Sequence, residues 1–147
     1  MARLEVLALD LEGTLVSNAV SQIARPGLHD FLGFCRREVP RLVIYTSVPE
    51  RKVREVTANL VAEGSAPAWF KNVECVHWNG RVKDLTVIQG TTVERTLLID
   101  DYEGYVIEEQ RRQWLPIDTY STPYSADDTE LQRVRQVLEN EWGCHAG

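Results

Sequence analysis

The sequence has few cysteines and no long apolar run, and both absences exclude classes of protein. Only 3 of the 147 residues are cysteine, too few for a disulfide framework, so a reducing compartment is expected. No apolar stretch approaches the roughly 20 residues that a membrane-spanning helix needs. Glu5 and Asp10 fall where the apolar core of a secretory signal would be free of charge. These features favour a cytoplasmic protein without a membrane partner.

An excess of positive charge is also lacking. The formal net charge is −6, and residues 100–147 hold 4 Lys and Arg against 11 Asp and Glu. Proteins that bind the phosphate backbone of nucleic acids concentrate Lys and Arg on one face. The charge pattern therefore disfavours a nucleic-acid partner, and it gives no indication of the oligomeric state.

Short apolar runs alternate along the chain with stretches whose apolar residues recur at helical spacing. This alternation is typical of an α/β domain with a mainly parallel central sheet, and 147 residues are enough for a single domain, residues 1–147. Strands are predicted at residues 4–11, 41–45, 96–99 and 114–117. Helices are predicted between Pro26 and Pro40, from Pro49 to Gly64, and from Asp127 to Trp142, with Asp127 and Glu130 as the capping pair of the last one. Residues 73–82 resemble a hairpin that turns at Asn79-Gly80.

Four groups of polar residues follow predicted strands or the hairpin. They are Asp10-Leu11-Glu12-Gly13-Thr14, Thr46-Ser47, Lys83 and Asp100-Asp101. Ligands of open α/β sheets bind at the carboxyl ends of the strands, so these groups are expected to lie together. Each group alone has a simpler interpretation, such as a solvated strand end, a helix cap, a surface lysine or a turn. Their joint occurrence favours a functional site.

These residue types suit phosphoryl transfer through a covalent intermediate. One carboxylate attacks phosphorus, and a second acid protonates the leaving oxygen and then activates water. Carboxylates and phosphoryl oxygens repel one another, so a lysine and a divalent cation are needed to hold them together. Oxygen ligands of this kind are suited to Mg²⁺.

Several motifs resemble those of one known family. Asp10-Leu11-Glu12-Gly13-Thr14 resembles the D-x-D-x-T motif of the haloacid-dehalogenase superfamily, whose fold is a three-layer, Rossmann-like α/β fold. Arg25-Pro26 with Phe31-Leu32, Val82-Lys83-Asp84-Leu85, Asp100-Asp101 and Asp128-Thr129-Glu130-Leu131 are similar to motifs of its NLI-interacting-factor-like phosphatase branch. The resemblance covers almost the whole chain. It implies a phosphoric monoester hydrolase that requires magnesium.

The resemblance also implies a role for each matching residue. Asp10 would be the nucleophile and a magnesium ligand, and Glu12 would bind the metal through its carbonyl and act as general acid and base. Thr46, with Ser47, would bind the phosphoryl group, and Lys83 would neutralise it. Asp101 would complete the metal ligands, with Asp100 supporting them and held by Lys83.

The chain departs from the family pattern at two places. Glutamate stands at position 12, where this branch usually has aspartate; enolase-phosphatases of the superfamily carry a similar glutamate. The interval between Thr14 and Arg25 is too short for the hairpin that polymerase-tail phosphatases use to hold substrate. The intervals also leave no room for a cap domain, so the site is expected to be open to a phosphorylated protein as well as to a small phosphate ester.

Two other kinds of protein have a similar set of residues. A two-component receiver domain uses similar residues, but its acidic pair comes first in the chain and its lysine late, which is not the order found here. A catalytically silent binding module on the same fold is an alternative that the sequence does not separate from an enzyme. Cys75 with His77 and Cys144 with His145 fit no common zinc spacing. Trp69 and Phe70 are expected to pack, with substrate contact as the alternative.

Overall fold

A computed structural model describes residues 3–76, 78 and 80–144. Its centre is a five-stranded sheet in the order β3-β2-β1-β4-β5, and all neighbouring strands run parallel. The strands are β1 (Val6–Leu9), β2 (Arg41–Tyr45), β3 (Glu74–Val76), β4 (Thr96–Asp100) and β5 (Trp114–Pro116). The predicted Rossmann-like α/β fold with a parallel sheet is confirmed. Pro116 lies in the edge strand β5, where a missing N–H costs little.

The three α-helices of the described residues pack on one face of the sheet. They are α1 (Leu28–Glu38), α2 (Glu50–Ala62) and α3 (Glu130–Glu141). Their apolar residues share one core cluster with Leu7 and Leu9 of β1, whereas Val6 and Ala8 belong to a second cluster on the opposite face. The second cluster is completed by residues around the short 3-10 helix at Leu85–Val87, so the third layer of the fold consists of 3-10 helices and loops. None of the helices in the described part of the chain is long and apolar enough to cross a membrane.

The predicted hairpin at residues 73–82 is wrong. β3 pairs in parallel with β2, and no strand follows it among residues 78 and 80–84. The chain instead turns towards a later segment: the Trp78 ring packs on the Tyr105 ring at 4.8 Å, and the Lys83 N–H donates to the Tyr105 carbonyl at 2.8 Å. Partners far along the chain thus replaced the local pairing. Asn79, the first residue of the predicted turn, lies outside the described residues.

The start of α3 also differs from the prediction. The helix begins at Glu130, and the cap contact is made by Asp128, whose carboxylate accepts a hydrogen bond from the Glu130 N–H at 3.1 Å. Asp127 is exposed and makes no such contact. The buried face of α3 consists of Leu131, Val134 and Leu138.

Candidate active site

Three strand ends meet at one edge of the sheet. Leu9 of β1 pairs with Ile44 of β2 and with Ile99 of β4, so the residues that follow these strands lie side by side. The backbone N–H of Asp10 donates to the Ile99 carbonyl at 3.0 Å, which fixes the start of the first polar loop beside the end of β4. The parallel register is therefore what brings the predicted site residues together.

Lys83 lies between two of the predicted carboxylates. Its Nζ is 2.9 Å from Asp10 Oδ1 and 2.5 Å from Asp100 Oδ2, and the Lys83 side chain is completely buried. The Tyr105 ring packs against the ammonium, with its centroid 5.1 Å from Nζ. The hydrogen bond from the Lys83 N–H to the Tyr105 carbonyl holds the backbone in place. The predicted contact between Lys83 and Asp100 is present.

Asp101 completes an acidic cluster with Asp10 and Asp100. Carboxylate oxygens of the three residues all lie within 4.8 Å of one another. The Thr14 hydroxyl donates to Asp10 Oδ2 at 2.9 Å and lies 3.3 Å from Asp101 Oδ1. The Thr119 hydroxyl donates to Asp101 Oδ2 at 2.8 Å. Hydroxyl groups thus hold Asp101 and the Asp10 oxygen that does not contact Lys83.

The cluster has an excess of negative charge, because it holds three carboxylates and a single buried ammonium, which contacts two of them. Burial raises the pKa of the Asp10 carboxyl well above its ordinary value; Lys83 opposes this effect and the Asp100 charge adds to it. Burial likewise raises the pKa of Asp100, against the opposing charge of Lys83. Burial alone would lower the pKa of Lys83, but the two neighbouring carboxylates outweigh it and raise the pKa. Lys83 is therefore a cation in this site.

The residues fit a divalent cation. A second positive group near Asp10, Asp100 and Asp101 would balance the remaining negative charge and favour the ionised carboxylates. The donors are all oxygen atoms, which Mg²⁺ prefers. The described part of the chain holds no other comparable group of acidic, His or Cys side chains.

Gly13 allows the loop after β1 to approach Asp101 closely. Its φ is +76°, and a Cβ at this position would lie only 2.6 Å from Asp101 Oδ2. Glycine is thus required both by the backbone conformation and by the space available. This residue belongs to the predicted motif, but its position close to Asp101 was not predicted.

Glu12 lies beside the cluster and is held by a backbone amide. Its Oε2 accepts a hydrogen bond from the Ala19 N–H at 2.6 Å. The side chain lines a cavity of about 350 Å³ together with Asp10, Asp101, Thr46 and Ser47. The cavity is thus bordered by the predicted acid, nucleophile and phosphate-binding residues.

Thr46 and Ser47 follow β2 at the edge of the same cavity. Thr46 is buried, and its hydroxyl accepts a 3.3 Å hydrogen bond from the Val48 N–H, as expected of a residue that precedes a helix. Tyr102 and Tyr105 also line the cavity, and their rings pack edge to face at 4.6 Å. Sequence analysis did not find these tyrosines, since the short 3-10 helix Glu103–Tyr105, which Tyr102 precedes, has no periodic pattern.

The remaining candidates lie elsewhere. Trp69 packs edge to face on the buried Phe70, and neither borders the cavity at Asp10, so the interpretation as packing residues is the better one. Cys75 and Cys144 are free thiols. His77 and His145, the other members of the two declined zinc pairs, lie outside the described residues.

A family model described as NLI interacting factor-like phosphatase matches residues 5–144. The match agrees with the branch that the sequence motifs indicated, and it includes every residue of the candidate site. A comparison with curated proteins found no significant match.

Proposed function

The chain belongs to the family of NLI interacting factor-like phosphatases, and from this premise we propose that it is a magnesium-dependent phosphatase acting through an aspartyl phosphate on Asp10. The observation that carries this proposal is the position of Lys83 Nζ, 2.9 Å from Asp10 and 2.5 Å from Asp100, beside Asp101. Three carboxylates beside a single ammonium are costly to bury without a further cation. A role in phosphoryl transfer accounts for it.

In the first step, a carboxylate oxygen of Asp10 attacks the phosphorus of a phosphate monoester. The bond between phosphorus and the leaving oxygen breaks, and that oxygen takes a proton from the Glu12 carboxyl group. Lys83 and the hydroxyl of Thr46 bind phosphoryl oxygens and stabilise their charge. The products of this step are the alcohol and the phosphorylated Asp10.

In the second step, a water molecule attacks the phosphorus of the aspartyl phosphate. The Glu12 carboxylate takes a proton from the water, and the bond between phosphorus and Asp10 breaks. Inorganic phosphate leaves, and the Asp10 carboxylate and the Glu12 carboxyl group are both restored. Water and ester are thus converted to alcohol and phosphate without any other reactant.

Magnesium would be held by Asp10, Asp101 and the carbonyl of Glu12, and when bound it would supply positive charge next to the phosphoryl group. Asp100 supports this arrangement indirectly. Its Oδ2 fixes Lys83, and its Oδ1 accepts a hydrogen bond from the Tyr102 N–H at 2.9 Å. The longer acid at position 12 fits the same scheme, because its carboxylate borders the same cavity.

The substrate is a phosphorylated protein or a small phosphate ester, and the open site favours the protein. Among the described residues, the interval between β1 and α1 holds a short loop, and the interval from Ser47 to Lys83 holds α2, a 3-10 helix and β3. None of these covers the cavity with a second domain, so a bulky substrate can approach. The free cysteines suit the reducing cytoplasm as the location.

A catalytically silent binding module is the alternative function. Release of phosphate from p-nitrophenyl phosphate with and without Mg²⁺ separates the two, and we expect release only with the metal. Asp10→Asn should abolish release, whereas the same substitution at the exposed Asp30 should not change it. Hydroxylamine cleaves acyl phosphates, so labelled phosphate on the wild-type chain should be lost on treatment. An inert wild-type chain at every metal and pH would favour the binding module.

A further inference from the structure

Residues 17–23, here named the anchor loop, form a short turn next to the candidate active site. An antiparallel bridge between Val16 and Ala24 closes its base, and the Ser17 N–H donates to the Ile23 carbonyl at 2.8 Å. The loop thus has a defined start and end, and it lies between the polar motif after β1 and helix α1.

The anchor loop is held by its own polar side chains. Asn18 Oδ1 accepts hydrogen bonds from the N–H groups of Val20 and Ser21, both at 2.8 Å. The hydroxyls of Ser17 and Ser21 are 2.6 Å apart. One further contact ties the loop to α2, where Asn59 Nδ2 donates to the Gln22 carbonyl oxygen Oε1 at 2.8 Å. These four side-chain hydrogen bonds within seven residues leave the turn little freedom.

The consequence of this arrangement is the direction of one backbone amide. The N–H of Ala19, between Asn18 and the capped residues, donates to Glu12 Oε2 at 2.6 Å. The other carboxylate oxygen, Oε1, makes no hydrogen bond to any residue in the described part of the chain. Glu12 lines the cavity that also contains Asp10, whereas Asn18 does not. One oxygen of this cavity-lining residue is therefore fixed, and the other is not held by a hydrogen bond from a described residue.

A glutamate that acts as a general acid needs contacts that hold its side chain in one orientation. Its side chain has three rotatable bonds, and each must be fixed before the carboxyl group can meet the leaving oxygen. Catalytic groups are effective when their supporting contacts fix their position beforehand. We propose that Asn18 is a positioning residue, which orients the Ala19 amide and through it presents Oε1 of Glu12 to the leaving oxygen of the substrate. This inference rests on the proposed phosphatase function.

The test compares two esters that differ in how much they need an acid. The p-nitrophenolate leaving group stabilises its own negative charge, whereas the phenolate released from phenyl phosphate depends more on protonation. For Asn18→Ala we expect kcat/KM to fall about tenfold with phenyl phosphate and less than about twofold with p-nitrophenyl phosphate. A residue that only supported the fold would lower both values equally.

Three further variants sharpen the result. Asn18→Ser keeps an acceptor that can bind the following N–H groups, and it should restore most of the activity on phenyl phosphate. Val20→Ala alters the exposed tip of the same loop and should leave both rates unchanged. In a Glu12→Gln background, Asn18→Ala should cause no additional loss, because the residue through which it acts is already altered.

Each outcome decides the inference. The inference is supported if Asn18→Ala lowers kcat/KM selectively with phenyl phosphate and if this loss is absent in the Glu12→Gln background. Equal losses on both esters, or a loss that persists without the Glu12 carboxyl group, would overturn it while leaving the phosphatase function intact. A wild-type chain that hydrolyses neither ester in Mg²⁺ would overturn the proposed function itself, and the positioning role with it.

Discussion

Arg25 and Asp128 form a bidentate ion pair that connects the loop after β1 with the start of α3. Arg25 Nε is 2.9 Å from Asp128 Oδ1, and Nη2 is 3.0 Å from Oδ2. The remaining nitrogen, Nη1, donates to the carbonyls of Gly13 and Thr14, both at 3.2 Å. The Arg25 side chain is completely buried. This pair therefore ties the polar loop after β1 to a helix that begins more than a hundred residues later.

Removing one member of this pair should lower the stability of the fold, since the other member is left as a buried charge without its partner. We expect Asp128→Ala to lower the free energy of unfolding by about 3 kcal/mol. Asp127→Ala removes the same charge at an exposed neighbouring position, and it should alter the free energy of unfolding by less than about 0.5 kcal/mol. Denaturant unfolding of both variants measures the difference. Equal effects would show that the ion pair contributes little.

The same pair should make the protein sensitive to acid. Burial opposes the ionisation of Asp128, but hydrogen bonds from Arg25 and from the Glu130 N–H outweigh it, and the pKa lies below its ordinary value. The pair thus contributes fully above the ordinary Asp pKa of about 3.9, and its contribution is lost as the pH falls through the lower folded value. The difference in unfolding free energy between wild type and Asp128→Asn should therefore narrow between neutral pH and about pH 3. A constant difference over this range would contradict the assignment.

The sequence predicts the central part of this fold well. Strand β2 has the predicted bounds, Arg41–Tyr45, and β4 extends only one residue beyond its predicted end. Such strands are buried on both faces, and a continuous apolar run identifies them. The hairpin at residues 73–82 was the main error, because a favourable turn sequence was outweighed by contacts of Trp78 and Lys83 with residues that no local pattern reveals.

In the candidate site, too, some features could be predicted from the sequence and others could not. Asp10, Lys83, Asp100 and Asp101 were expected to converge, and their side chains do lie together. Their catalytic roles remain predictions. The Ala19 amide that holds Glu12 could not be predicted, since any residue supplies a backbone N–H and only the conformation of the loop directs it. Interactions of this kind leave no trace in composition or periodicity.

Gly13 allows a test of how closely the motif loop must approach Asp101. Gly13→Ala places a methyl group 2.6 Å from Asp101 Oδ2, whereas Gly64, with a similar φ of +81°, has open space around it. Both alanine variants should lose about 1 kcal/mol of stability from the backbone strain. Only Gly13→Ala should also weaken magnesium binding, about tenfold or more, because Asp101 must move. Titration of both variants with Mg²⁺, followed by thermal unfolding, compares them; equal affinities would show that Asp101 tolerates the shift.

Magnesium should stabilise the folded chain, and the acidic cluster should determine by how much. A ligand that binds only the folded state adds about 2.7 kcal/mol at one hundred times its dissociation constant, so the melting temperature should rise with Mg²⁺. In chelator, Asp101→Asn should be at least as stable as wild type, because one of three mutually repelling carboxylates is removed. In Mg²⁺ the order should reverse, since the variant lacks a ligand. Asp118→Asn, at an exposed position outside the cluster, should follow the wild type in both conditions. Thermal unfolding with and without Mg²⁺ measures this reversal of the order of stability. An equal rise in melting temperature for wild type and Asp101→Asn would mean that the cluster does not bind the ion.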